Sequence, residues 1–402
     1  MSKQIVCCTI TLVLACSAVD AQLEIQQIAK FANPNPEFRR TGGREVEFSE
    51  DGTKIIAAFY GSTIQLFDLK DNTAICESIR TSGDGEVGFV NDEIAYSSDW
   101  NSMQLWNAQS GEPLGNAIPH ELREDTIIQP AISPQGKLIA TRTTMKSVQL
   151  WDVATQKPIG KPREYSDVVS SIRFTADGRR LMVRSGKSLY ALSCETGEVE
   201  AGPFQSGWQF YHFAKQQKLV TTEQKGDELP QLVIRSTDKK GWPETHRSKL
   251  PGRLKRIIAL DGDQVLMQAT KDKFLPAMYL MSLERPSRRI EVETDADRAF
   301  GVAVTEDKQH WVCTNIRSFV CQKFGQSEPV WKKGVPPSGY DLKIFPFNNE
   351  YFIMIDKEAN FSFYAYSDGS EVWHCADVNR FSKYKNRIAF CTGDGVEVWE
   401  LK

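Results

Sequence analysis

Five histidines, at positions 120, 212, 246, 310 and 374, and six cysteines downstream of residue 21 are the side chains of this chain best suited to bind metal or attack a substrate. The histidines are scattered without metal-ligand spacing, and the cysteines (Cys76, Cys194, Cys313, Cys321, Cys375, Cys391) contain no CxxC pair, so no metal site is expected. No GxSxG elbow, Walker loop or HExxH motif appears. Asp261-Gly-Asp263 has the residue types of a calcium site, yet it occupies a turn that recurs along the whole chain, and turn chemistry accounts for it. Neither a catalytic residue nor a cofactor is therefore expected from any local pattern. Cys313 and Cys321 fall on adjacent strands of one expected hairpin, which leaves a disulfide and two buried thiols both open.

The elements that must position any site are set by that recurring turn. Phe48-SEDGTK-Ile55, Ile132-SPQGK-Leu138, Phe174-TADGRR-Leu181 and Val304-TEDKQH-Trp311 show the unit: an apolar run, a polar turn and a second apolar run. The first apolar residue after the turn falls at 55, 94, 138, 181, 219, 265, 311, 351 and 388. The mean spacing of about 42 residues is the length of a four-stranded propeller blade. Alternating segments such as Ile64-Gln-Leu-Phe-Asp68, Met103-Gln-Leu-Trp-Asn107, Val148-Gln-Leu-Trp-Asp152 and Val396-Glu-Val-Trp-Glu400 supply a third strand to each unit. The expected fold is all-β, a single closed propeller over residues 22–402. Nine blades is the best count, and eight is the alternative if the fifth unit, with its polar loop at 223–231, is irregular. The last unit ends after its third strand, so residues 23–31 are expected to complete it and close the ring.

Composition is that of a globular protein, with 41% hydrophobic and 25% charged residues, and a net charge of −3 argues against a general nucleic-acid binder. Lys3, the apolar run Ile5–Ala15 and the small residues before Ala21 read as a signal peptide over 1–21. Cleavage after Ala21 would release a periplasmic or extracellular protein. Val13-Leu14-Ala15-Cys16 offers a second route, a lipid anchor on Cys16. No later stretch is long and apolar enough to cross a membrane as a helix.

Phe67-Asp68, Trp106-Asn107 and Trp151-Asp152 resemble the Trp-Asp signature that ends the third strand in the WD-repeat family. Membership would imply four-stranded blades and a binding face formed by the d-to-a and b-to-c connections. The family's Gly-His pair is missing, so its Asp-His-Ser-Trp network is expected to be broken and apolar packing between blades to carry the stability. On the implied face lie Arg39, Arg40 and Arg44 in one connector and Arg253 and Arg256 in the stretch 246–256. Lys161 and Arg163 fall in a further connector, and Trp100, Trp208, Phe274 and Tyr340 in loops of the same side. Arginine and aromatic residues dominate interface hot spots. The expected function is an exported, non-catalytic scaffold that binds a protein or envelope component through this face. A second reading comes from Leu189-YALSCETGEVEA-Gly202 and Phe363-YAYSDGSEV-Trp373, which are similar to repeats of quinoprotein dehydrogenases and of envelope-assembly lipoproteins. A third, a hydrolase or lyase centred on the channel, would need carboxylates and histidines to meet there.

Overall fold

The computed structural model describes residues 25–35, 37, 43–81, 85–99, 102–119, 130–207, 210–224, 228–260, 262–271, 275–292, 301–314, 318–326, 328–334, 343–356, 360–376, 378 and 380–402. Among these residues the chain forms nine antiparallel sheets in sequence order, the blades of a propeller, with no helix. Blade 1 begins with strand a at Gly43–Phe48, followed by strand b at Lys54–Phe59 and strand c at Thr63–Asp68. Its strand d is split into Thr73–Ala74 and Ile79–Arg80, both paired with strand c. The fifth blade is regular, with strands Phe210–Phe213, Lys218–Glu223, Gln231–Ser236 and Glu244–Lys249, so the eight-blade alternative falls away.

Blade 9 takes strands a to c from Arg380–Tyr384, Arg387–Thr392 and Gly395–Leu401, and its strand d is Ile25–Ala32. The closing register runs antiparallel from Ile25 opposite Leu401 to Ala32 opposite Gly395. Closure is as expected, and the described strand runs one residue beyond the expected end at 31. Phe31 then stacks on Phe67 of blade 1 at 4.2 Å, fastening the last blade to the first.

Nine apolar clusters occupy the nine seams between blades. Inner strands are buried on both faces, so alternate residues serve opposite seams. Ile55, Ala57 and Phe59 pack against blade 9, whereas Ile56 and Ala58 pack against blade 2. The same alternation settles the cysteines of blade 7. Cys313 pairs with Val320 and Cys321 with Val312, one step out of register, so the two thiols point into different seams. All six described cysteines are free. Burial pushes the Cys313 and Cys321 thiols up to about 12, which leaves them unreactive.

Four of the repeated turns share one geometry. Gly52, Gly136 and Gly178 lie at φ of +72°, +63° and +66°, and Lys308 takes the same place at +58°. Each donates its backbone N–H to the Ser or Thr three residues earlier, at 2.8–3.0 Å. The Asp of the turn accepts a backbone N–H two residues on, as in Asp51 with Thr53 and Asp307 with Gln309. Turns also reach across seams: the Asp51 N–H donates to Asp92 and the Asp307 N–H to Asn349, each at 2.8 Å.

Two third-strand tryptophans hydrogen-bond to hydroxyls of the second strand. Trp106 Nε1 donates to Ser97 and Trp151 Nε1 to Thr141, at 3.0 and 2.9 Å. The acidic or amide partner of each pair caps the c-to-d turn instead, Asn107 accepting from Gln109 N–H and Asp152 from Thr155 N–H.

Candidate functional site

Strand a lies at one edge of each blade, and blades 9 and 1, 1 and 2, 3 and 4, and 7 and 8 meet through their a strands, which places these strands innermost, around the channel. Each d-to-a connector delivers the chain to the start of a strand a, so the first residues of these strands form the channel mouth. Arg44 on blade 1, Arg253 beside blade 6 (strand a Leu254–Ala259), Lys343 on blade 8 (Lys343–Pro346) and Arg380 on blade 9 all stand at this level. The last three are exposed, and Arg44 is half-buried with its guanidinium 6.0 Å from the centre of the Tyr60 ring. Cations thus run round the mouth from blade 6 through blades 8 and 9 to blade 1.

Against this arc lies an acidic seam. Glu45 and Glu47 alternate with Val46 and Phe48, and Glu86 opens strand a of blade 2 (Glu86–Asn91). The Glu45 carboxylate accepts the Val87 N–H at 3.3 Å, and Glu47 accepts the Ser382 hydroxyl of blade 9 at 2.8 Å. Burial and the nearby charge of Glu86 push Glu45 up to about 7, against the opposing pull of the Val87 N–H and Arg380. Glu47 is also raised by burial, opposed by Ser382. The four described histidines sit elsewhere: His212 in blade 5 strand a, His246 in its strand d, His310 in blade 7 strand b (His310–Thr314) and His374 in blade 8 strand d (Glu371–Cys375). No carboxylate–histidine pair is therefore assembled at the acidic seam by the described residues.

Of the residues expected on the loop face, Arg44 and Arg253 stand at the mouth, across the channel from one another. Arg256 is not in a connector. It lies three residues deeper in strand a of blade 6, exposed, and donates to the Val302 carbonyl of blade 7 at 3.2 Å. The stretch 246–256 is correspondingly shorter as a loop, because His246 to Lys249 continue strand d of blade 5. Lys161 and Arg163 belong to the outer strand Pro158–Glu164 of blade 3, not to a connector. Arg39, Arg40, Trp100, Trp208, Phe274 and Tyr340 lie outside the described residues, as does Cys16. Glu45, Glu47 and Glu86 were not expected. Their signal was present in Gly43-Arg-Glu-Val-Glu-Phe48, where acids occupy alternate positions of a strand that should be buried on both faces.

No protein-family model matches the sequence, and no curated protein matches it. Among solved structures the chain is similar to a eukaryotic initiation factor, with a TM-score of 0.62 at 10% identity over 89% of this chain and 90% of that one. It is similar to BamB from Moraxella catarrhalis, with a TM-score of 0.54 at 10% identity over 80% and 98%. The computationally designed Ika8 protein aligns at 0.53 and 11% identity over 93% and 99%. At these identities the likeness concerns the propeller fold alone.

Proposed function

We propose that this chain is an exported, non-catalytic propeller scaffold of WD-repeat type, which binds an acidic surface of a protein or envelope component at its channel mouth. The observation that supports the reading is the arc of exposed cations, Arg253, Lys343 and Arg380, each mounted at the start of a rigid inner strand. Rigid placement lowers the ordering cost of binding, and arginine pairs well with carboxylates in a partly desolvated interface. Export rests on the apolar run Ile5–Ala15 and its flanks.

The test is a saturable binding isotherm between the chain without residues 1–21 and components of its native envelope, repeated with R253E/R380E. Weakening of about tenfold or more, with unchanged thermal stability, is expected for the double variant. Absence of any saturable partner together with turnover of a small molecule would overturn the scaffold. A second reading, channel-centred acid–base chemistry, is favoured by one observation only: Glu45 is held near 7, where a general acid or base works best. Loss of such turnover in E45Q would favour it.

A further inference from the structure

A cavity of about 480 Å³ opens between blades 5 and 6, and no residue of the innermost strands lines it. Its walls come from three places: Lys218 at the start of strand b of blade 5, Thr245 and His246 at the start of its strand d, and the c-to-d turn of blade 6 over Leu283 to Arg288. These elements all end on the side of the ring that carries the a-to-b turns, so the cavity faces away from the channel mouth. The volume lies within the range of small-ligand sites, about 300–1,000 Å³.

Its walls carry an excess of positive charge. Lys218, Arg285 and Arg288 stand against a single carboxylate in the wall, Glu284. The neighbouring arginines of blade 5 are differently employed. Arg235 and Arg247 are spent in ion pairs with Glu223 and Glu244, at 2.6–3.0 Å for the tighter contacts. Among the described residues, by contrast, no carboxylate comes within ion-pair distance of Lys218, Arg285 or Arg288. Asp238 faces Lys218 and Asp263 faces Arg285, but Asp238 accepts the Ser236 hydroxyl, and Asp263 accepts the Ser282 hydroxyl and the Glu284 N–H. Polar nitrogens beside the cavity are also unspent. His246 Nε2 and Arg289 Nη1 are buried with no hydrogen-bond partner, while Arg289 Nη2 donates to the Lys249 carbonyl at 2.7 Å. Leu283 and Pro286 add buried apolar surface, and Thr245 and Ser287 add hydroxyls.

We propose that this cavity binds the phosphate dianion of a small phosphomonoester, with Arg285 and Arg288 gripping its oxygens and Lys218 balancing the second charge. A planar guanidinium matches phosphate geometry through paired N–H donors, and two of them on one turn converge on a single anion. The apolar pair Leu283 and Pro286 would receive the organic body, and the hydroxyls of Thr245 and Ser287 its polar groups. The same group could come from a soluble ester or from a phosphatidic acid headgroup.

The experiment is calorimetric titration of the chain without residues 1–21 with inorganic phosphate and with glycerol 3-phosphate at constant ionic strength. Flotation with phosphatidylcholine vesicles, with and without phosphatidic acid, runs beside it. A single saturable site is expected, weakened about tenfold or more in R285Q/R288Q and unchanged in K161Q on the outer strand of blade 3. Thermal melts of each variant separate lost binding from lost folding. Flotation only with phosphatidic acid assigns the source to a lipid, and calorimetric binding without flotation assigns it to a soluble ester. No saturable uptake by the parent chain, or equal affinity in R285Q/R288Q, would overturn the site.

Discussion

Glu45 shows what a single carboxyl does when placed on an inner strand. The folded protein holds its proton more tightly than the unfolded chain does, because burial and Glu86 disfavour the charged form. The resulting stability is fully present below the ordinary value of 4.5 and is lost as pH rises through about 7. Asp152 and Asp307 run the other way, since hydrogen bonds from Thr155 and Thr305 hold them below the usual aspartate value. Their contribution is present above 3.8 and disappears as pH falls through their lowered values. Glu45 therefore contributes a fall in melting temperature between pH 5 and 8, against a rise from His212 and His246, which burial holds below the usual histidine value; E45Q should remove the falling part, and an identical pH profile in the variant would show that Glu45 is not its source. The alternating acids of Gly43–Phe48 were a local signal, but their partners were not: Glu47 meets Ser382 across 335 positions of chain, and no local spacing announces such a meeting.

At the scale of elements, the turn was legible because its chemistry is local. Hydroxyl, Asp and left-handed Gly each satisfy a backbone group within five residues, so the same residues recur wherever the same geometry is needed. The third-strand Trp and Asp positions were legible too, and Asp152 caps the c-to-d turn by accepting the Thr155 N–H. Connector lengths were the poorer part. Arg256 and Lys161 looked like loop residues because they are charged, yet edge and channel-facing strands tolerate charge as readily as loops do. One substitution tests the turn directly. Gly136 combines φ of +63° with a Cβ that would fall 2.3 Å from the Val90 carbonyl of the preceding blade. G136A should lower stability by about 2 kcal/mol in a denaturant melt. The matched control G262A has φ of +64° and open space around it, so it should lose only the smaller backbone share.

For the molecule as a whole, closure is the decisive contact. Ile25–Ala32 supplies one of the four strands of blade 9 and carries Ala29 and Phe31 into the seam with blade 1. Burial of Phe31 alone is worth roughly 2 kcal/mol, and pairing removes an open edge on Gly395–Leu401 that would otherwise invite another chain. A chain without residues 1–32 should melt at lower temperature and show a concentration-dependent rise in mass by light scattering; an unchanged melt and mass would mean that the ring holds without its clasp. The clasp also imposes an order in time. Ala32 must wait for Gly395, which lies 363 residues later. At about 5–20 residues per second of synthesis, that wait lasts tens of seconds. For that interval the growing ring carries two unmatched ends, and keeping them apart from other chains falls to whatever surrounds the protein while it is being made.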